Sequence, residues 1–202
     1  MIGVLNYGVG NYKTLLNVLD YLGIENCEVQ TVPQFDKISR LIIPGVGSFD
    51  NGMRNLLENG FDQAIEEFHN REGKILGICL GAQMMLNCSE EGSIPGLGLV
   101  SGFSKRFPNS VGHPIPLSGK FQVSFSEGSG FESFNNKRFY FVHSYYMQTE
   151  NRLVSARNSE IDIDEMPYVA GFVKDHVTGV QFHPERSGLT GIEFLKAWVE
   201  YD

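Results

Sequence analysis

Residues 74–86 leave little freedom of architecture. Lys74 to Ile78 is an apolar run of strand length and Leu80 to Leu86 an apolar run of helical character, with the single residue Cys79 and no loop between them. A buried strand that feeds a helix this abruptly belongs to a β–α crossover, which is right-handed and returns the chain over the face of a parallel sheet. The rest of the first half repeats the theme. Met1 to Leu5 reads as a strand ending in the Gly/Asn-rich turn Asn6-Tyr7-Gly8-Val9-Gly10-Asn11, and Leu15, Leu16, Val18, Leu19 and Leu22 then recur at helical spacing until Gly23. Glu28 to Val32 and Arg40 to Ile43 are further strands, and Phe61 to His69 is an amphipathic helix with Ile65 and Phe68 inward. The pattern predicts an α/β fold with a mostly parallel sheet covered by helices on both faces.

After Pro95 the character changes. Val100 to Phe107, Phe121 to Phe125, Arg138 to His143, Leu153 to Ala156, Tyr168 to Val173 and Gly179 to Phe182 read as strands, closed by a helix over Gly191 to Val199. No repeat or linker divides the chain, so residues 1–202 are expected to form one domain. A chain of this length buries roughly 70% of its unfolded surface and needs neither metal nor disulfide to hold a core.

Composition excludes several function classes. The net charge of −8, with no Lys/Arg run, argues against nucleic acid and anionic membranes, which require a basic face. Three cysteines without a C-x-x-C pair argue against a disulfide framework and against structural zinc. No charged segment precedes an apolar stretch at the N-terminus, and no run of eighteen apolar residues occurs. A reducing cytoplasm is the expected setting.

The chemistry concentrates in two places. Gly77-Ile78-Cys79-Leu80-Gly81 sets a cysteine between glycines at a strand-to-helix turn, a nucleophile elbow with sulfur in place of oxygen. The glycines permit the tight turn, and helix N–H groups beside the sulfur favour a thiolate. Near an imidazole such a cysteine ionises below the free value of about 8.5. A nucleophile that expels an amine needs a histidine, and the histidine needs an acid to fix its tautomer. Gln181-Phe182-His183-Pro184-Glu185 offers both, with the preceding strand carrying His183 to the carboxyl edge of the sheet, where parallel-sheet active sites lie. Cys79, His183 and Glu185 are therefore the expected catalytic residues. Cys27 and Cys88 read as packing or surface thiols, and His69, His113 and His176 as solvated. Gly8-Val9-Gly10 lacks the third glycine of a dinucleotide loop, because Lys13 stands there.

G-I-C-L-G-A-Q-M-M and G-V-Q-F-H-P-E-R-S resemble the two signatures of class I glutamine amidotransferases. V-L-N-Y-G-V-G-N, I-I-P-G-V-G-S-F, S-E-E-G and F-Y-F-V-H-S-Y extend the resemblance, in one order along nearly the whole chain, to the glutaminase subunits of imidazole glycerol phosphate synthase. The resemblance implies a single-domain, three-layer amidotransferase fold that takes L-glutamine without cofactor or metal. It implies an oxyanion hole from the backbone N–H groups of Leu80 and of Val46 or Gly47. It implies a pocket in which Gln83 and Glu91 hold the substrate's amino-acid head beside the backbone of His143, Ser144 and Tyr145. Ammonia would pass to a (β/α)₈ cyclase partner, with Arg186 facing it.

One segment departs from the family. Its P-H-x-G-W-N stretch aligns with Pro116-Leu117-Ser118-Gly119-Lys120-Phe121, where Lys120 replaces an aromatic anchor at the expected partner face. Two explanations stand side by side: a divergent histidine-pathway subunit, or a paralogue supplying ammonia to another enzyme, such as one modifying a surface sugar. A stand-alone glutaminase and a non-catalytic binding subunit are further alternatives.

Overall fold

A computed structural model describes residues 1–108, 114–157 and 168–201. Among these, twelve strands join one sheet in the order β2-β1-β3-β4-β12-β11-β10-β7-β8, with β5, β6 and β9 as a side branch on β11. The first five in that order run parallel: β2 (Asn26–Val29), β1 (Ile2–Leu5), β3 (Arg40–Gly45), β4 (Lys74–Cys79) and β12 (Val177–Val180). From β12 outward the pairing turns antiparallel through β11 (Tyr168–Lys174), β10 (Arg152–Arg157), β7 (Leu117–Phe125) and β8 (Arg138–His143). The short β5 (Cys88–Ser89), β6 (Phe103–Arg106) and β9 (Tyr145–Gln148) complete the set.

Beyond their first residues, Arg40 and Lys74, the central strands β3 and β4 are apolar and buried throughout, because both faces are covered. On one face Ile42, Leu76 and Ile78 pack with Leu15 and Leu19 of α1 (Tyr12–Tyr21) and with Phe194, Leu195 and Trp198 of α5 (Leu189–Glu200). On the other, Leu41, Ile43 and Ile75 meet α2 (Phe49–Glu58), α3 (Phe61–Asn70) and α4 (Leu80–Met84). This is the expected three-layer arrangement. No helix among the described residues is long and apolar enough to cross a membrane.

Several boundaries differ from the sequence reading, each for a local reason. The strand expected over Glu28 to Val32 ends at Val29, because Gln34 Oε1 accepts from the N–H groups of Gln30 and Thr31 at 2.8 and 2.9 Å and starts a 3₁₀ turn over Val32–Lys37. The strand expected over Val100 to Phe107 shrinks to β6. β12 runs over Val177–Val180, two residues before the expected Gly179 to Phe182, and the Gln181 N–H still donates to Ala170 O at 2.8 Å. Helix α2 was not foreseen: Gly52 lowers its helix propensity, yet Phe49, Met53 and Leu56 form a buried stripe and Gly52 lets α4 approach closely, an added Cβ falling 2.7 Å from Met84 Sδ.

The histidines correct the reading as well. His69 and His176 are half-buried rather than solvated, and His176 Nε2 lies 2.8 Å from His69 Nδ1; His113 falls outside the described residues. Burial, reinforced by the neighbouring His176 and Lys174, lowers the His69 pKa against weaker opposite pulls from Asp175 and Glu66. A depressed folded-state value means that the unfolded chain takes up the proton first, so stability is present above the unfolded pKa of about 6.5 and lost as pH falls below it. Urea midpoints measured from pH 7.5 to 5 are expected to decline, and His69→Gln is expected to flatten that decline; an unchanged slope would show that the pair carries no proton linkage.

Candidate active site

Parallel register brings three strand ends to one line. Gly45 pairs with Cys79 across β3 and β4, and Val180 with Ile78 across β12 and β4. Chain leaving β3 runs through Val46 and Gly47, β4 hands over to α4 at Cys79, and β12 leads to His183. Cys79 sits at φ 56° and ψ −112°, a conformation that costs a non-glycine residue about 1–3 kcal/mol. Gly77 before the turn and Gly45 on the neighbouring strand are needed for packing. A Cβ at Gly77 would lie 2.7 Å from Ala82 Cα, and one at Gly45 would lie 2.5 Å from Gly81 N. Cys79 is 7% exposed, and its sulfur lies 3.9 Å from the Val142 carbonyl.

His183 Nδ1 donates to Glu185 Oε1 at 2.9 Å, and both side chains are only 2% exposed. The His183 Nε2 atom is buried without a hydrogen bond of ordinary geometry, but Cys79 is close enough to act on the ring. Burial lowers the His183 pKa, and the opposing pull of the neighbouring Cys79 sulfur and of the hydrogen-bonded Glu185 carboxylate outweighs it and pushes the value up to about 10. A protonated imidazole beside a cysteine is an acid poised to deliver its proton. The backbone around it is braced: His183 N–H donates to Tyr140 O at 2.8 Å, and Ser187 Oγ donates to His183 O at 2.7 Å.

A cavity of about 470 Å³ collects almost all of the expected residues. Cys79, Leu80, His183, Val46, Gly47, Gln83, Glu91, His143, Ser144, Tyr145 and Arg186 line it, together with Pro116 and Val142. Gly47 adopts φ 96°, within the region that favours glycine, and Tyr7 anchors the preceding peptide by donating to Pro44 O at 2.7 Å. Glu91 Oε2 accepts from Phe49 N–H at 2.9 Å. Burial raises the Glu91 pKa, the Phe49 N–H opposes that rise, and the charge of Asp50 adds to it. His143 is pushed down to about 4 by burial and by the charge of His183, against the bond from its ring to the Tyr145 carbonyl. Glu185 stands behind His183, outside the lining.

The two residues expected at a partner face lie on either side of Tyr140. Arg186 stacks over the Tyr140 ring at 4.3 Å, and Lys120, exposed and outside the cavity, pairs with Tyr140 across β7 and β8. Gln181, within the Gln-Phe-His-Pro-Glu motif, has no role in the sequence reading. It is fully buried, and its Nε2 lies 3.6 Å from Cys79 Sγ. Its place two residues before His183, at the end of the strand that delivers the histidine, is the available signal. No group of three or more metal-ligating side chains is found among the described residues.

The family model for class-I glutamine amidotransferases matches residues 4–199. This chain belongs to the class-I glutamine amidotransferases. As such it is a glutamine-using enzyme with relatives along its full length. It is 35% identical to imidazole glycerol phosphate synthase subunit HisH 2 of Methanococcus maripaludis, over 99% of either chain. The subunit HisH 2 of Pseudomonas aeruginosa is 37% identical over the same shares, and subunit HisH of Geobacillus thermodenitrificans 38% identical over 98% of this chain and 95% of that one. Among solved structures, PurLQS from Thermotoga maritima superposes with a TM-score of 0.76 at 21% identity, over 99% of this chain and 97% of that chain, a likeness of fold.

Two outcomes are expected of this amidotransferase. In Glu185→Gln, the His183 ring should titrate about 1–3 units lower, read by ¹⁵N NMR, because the partner charge is gone; an unmoved titration would remove Glu185 from control of the imidazole. Gly77→Ala should lose about 1–3 kcal/mol in urea denaturation, since its methyl group meets the Ala82 backbone rather than a yielding side chain.

Proposed function

We propose that this chain, working as one domain over residues 1–202, is the cytoplasmic glutaminase subunit of an imidazole glycerol phosphate synthase. The observation that carries the reading is the gathering of Cys79, His183, Gln83 and Glu91 around one cavity in a chain 35–38% identical throughout to subunits of that name.

Cys79 thiolate attacks the side-chain amide carbon of glutamine, and the N–H groups of Leu80 and of Val46 or Gly47 take the negative charge that collects on oxygen. Such a donor is worth about 10²–10³ in rate. His183 gives its proton to the nitrogen, the C–N bond breaks, and ammonia leaves a glutamyl thioester. Water, deprotonated by His183, then attacks the thioester, releasing glutamate and restoring Cys79. Glu185 holds the ring so that Nε2 serves both steps. Gln83 and Glu91 hold the substrate's amino-acid head, aided by the backbone of His143, Ser144 and Tyr145. The mechanism needs no cofactor or metal.

Ammonia free in water at neutral pH is mostly protonated and no longer nucleophilic, so a dry passage to the consuming enzyme preserves it. A (β/α)₈ cyclase subunit docked over Tyr140, Lys120 and Arg186 would receive it to make imidazole glycerol phosphate. Neither nucleic acid nor membrane enters the scheme. A second reading, a paralogue serving another synthase, draws on the altered segment Pro116–Phe121 and on two relatives numbered HisH 2.

Cys79→Ala is expected to abolish glutamine-dependent synthesis by the complex while synthesis from ammonium salts continues. Loss of both together would contradict the division of labour. Recovery of a barrel cyclase with the native chain supports the histidine-pathway reading; recovery of a sugar-modifying amidotransfer enzyme supports the second; full turnover with no partner points to a stand-alone glutaminase.

A further inference from the structure

A chain of buried hydrogen bonds runs beneath the cavity, and its direction follows from an end that has no choice. The Tyr145 carbonyl can only accept. It lies 2.8 Å from His143 Nδ1 and 3.0 Å from Gln83 Nε2, so His143 carries a proton on Nδ1 and Gln83 turns its amino group toward Tyr145. The second hydrogen of that amino group points to Gln181 Oε1 at 2.9 Å. Gln181 must therefore turn its oxygen to Gln83 and its own amino group to Cys79, where Nε2 and Sγ are 3.6 Å apart. Gln181 is fully buried and Gln83 is 4% exposed. A reversed Gln181 amide would set two amino groups against each other and leave the sulfur facing an oxygen.

Resting on the reading of Cys79 as the nucleophile, we propose that Gln181 is a positioning residue for this reaction: it donates an N–H to the Cys79 sulfur, fixing the sulfur's place and favouring its anionic form. The parallel register supports the assignment. Val180 pairs with Ile78, so the next residue along, Gln181, stands level with Cys79. The donor is aimed through the Tyr145 carbonyl, which belongs to the same segment that lines the pocket, so the nucleophile's environment is tied to the peptide backbone beside which the substrate lies. A hydrogen bond to a charged group is about twice as strong as a neutral one, and this donor comes into full effect only when the sulfur is charged.

The competing role is structural, with Gln181 serving only as an acceptor that satisfies Gln83. Two substitutions separate the roles. Gln181→Glu keeps the shape and the oxygen offered to Gln83 but sets an oxygen against the sulfur, whereas Gln181→Met keeps only the bulk. In the full-length chain, alkylation of Cys79 by iodoacetamide, located by peptide mapping, and kcat for glutamine are both expected to fall about tenfold in Gln181→Met, the loss of one charge-assisted hydrogen bond. Both are expected to fall further in Gln181→Glu, with KM little changed in either. Gln181→Glu alkylating and turning over as fast as the unaltered chain would overturn the proposal, and if that variant fails to fold, undiminished reactivity in Gln181→Met does so. Loss of glutaminase activity through modification of Cys27 or Cys88, with Cys79 unmodified, would instead strike the reading of the nucleophile itself.

Discussion

The backbone at Cys79 is the constraint from which the site follows. A non-glycine residue at φ 56° persists only where its surroundings over-determine it. Here they do. Gly77 rests against the Ala82 backbone, Gly45 against Gly81, and α4 lies so tightly on β3 that side chains at these glycines would displace main chain. The strand ends in this turn, and Cys79, packed at the margin of the layer beneath α1 and α5, opens onto the cavity.

Holding a histidine next to that sulfur is a separate problem, solved by the antiparallel half of the sheet. Phe139 packs against Phe182 at a tilt with ring centroids 4.2 Å apart, and Phe182 packs edge-on against Phe194 at 5.2 Å. These contacts clamp the segment just before His183 between β8 and α5. The backbone bond from His183 to Tyr140 then fixes its height. An aromatic cluster in the second half thus does for the imidazole what close glycine contacts do for the thiol.

Much of this was legible in the sequence because the relevant signals are local. The strand–cysteine–helix junction, the His-Pro-Glu step and the alternation of strands and helices each lie within a few residues. What escaped notice is mostly non-local. Gln181 and Cys79 are 102 residues apart, and only the pairing of β12 with β4 makes them neighbours. His69 and His176, 107 apart, read as solvated when taken singly, yet the turn between β11 and β12 sets His176 against His69 in the last turn of α3. Helix α2 was lost for a different reason: Gly52, a poor helix former, is there for the sake of α4, so tertiary packing overrode local propensity. Pro116 to Phe121 shows the limit in another direction. Its departure from the family pattern is visible in the sequence, but the departure is a matter for whatever docks there.

The register that sets Gly45 beside Cys79 and Val180 beside Ile78 across adjacent parallel strands has a further consequence. Neighbouring strands lie about 4.8 Å apart, so the distance between the sulfur's strand and the histidine's strand is set by the backbone ladder and serves as a fixed ruler. A one-residue slip of β12 would turn Gln181 and His183 away together, because alternate residues share a side. Change that preserves the chemistry is thereby steered into the loops beyond the strand tips, where the mouth of the cavity can be reshaped while the spacing of the reacting groups stays the same.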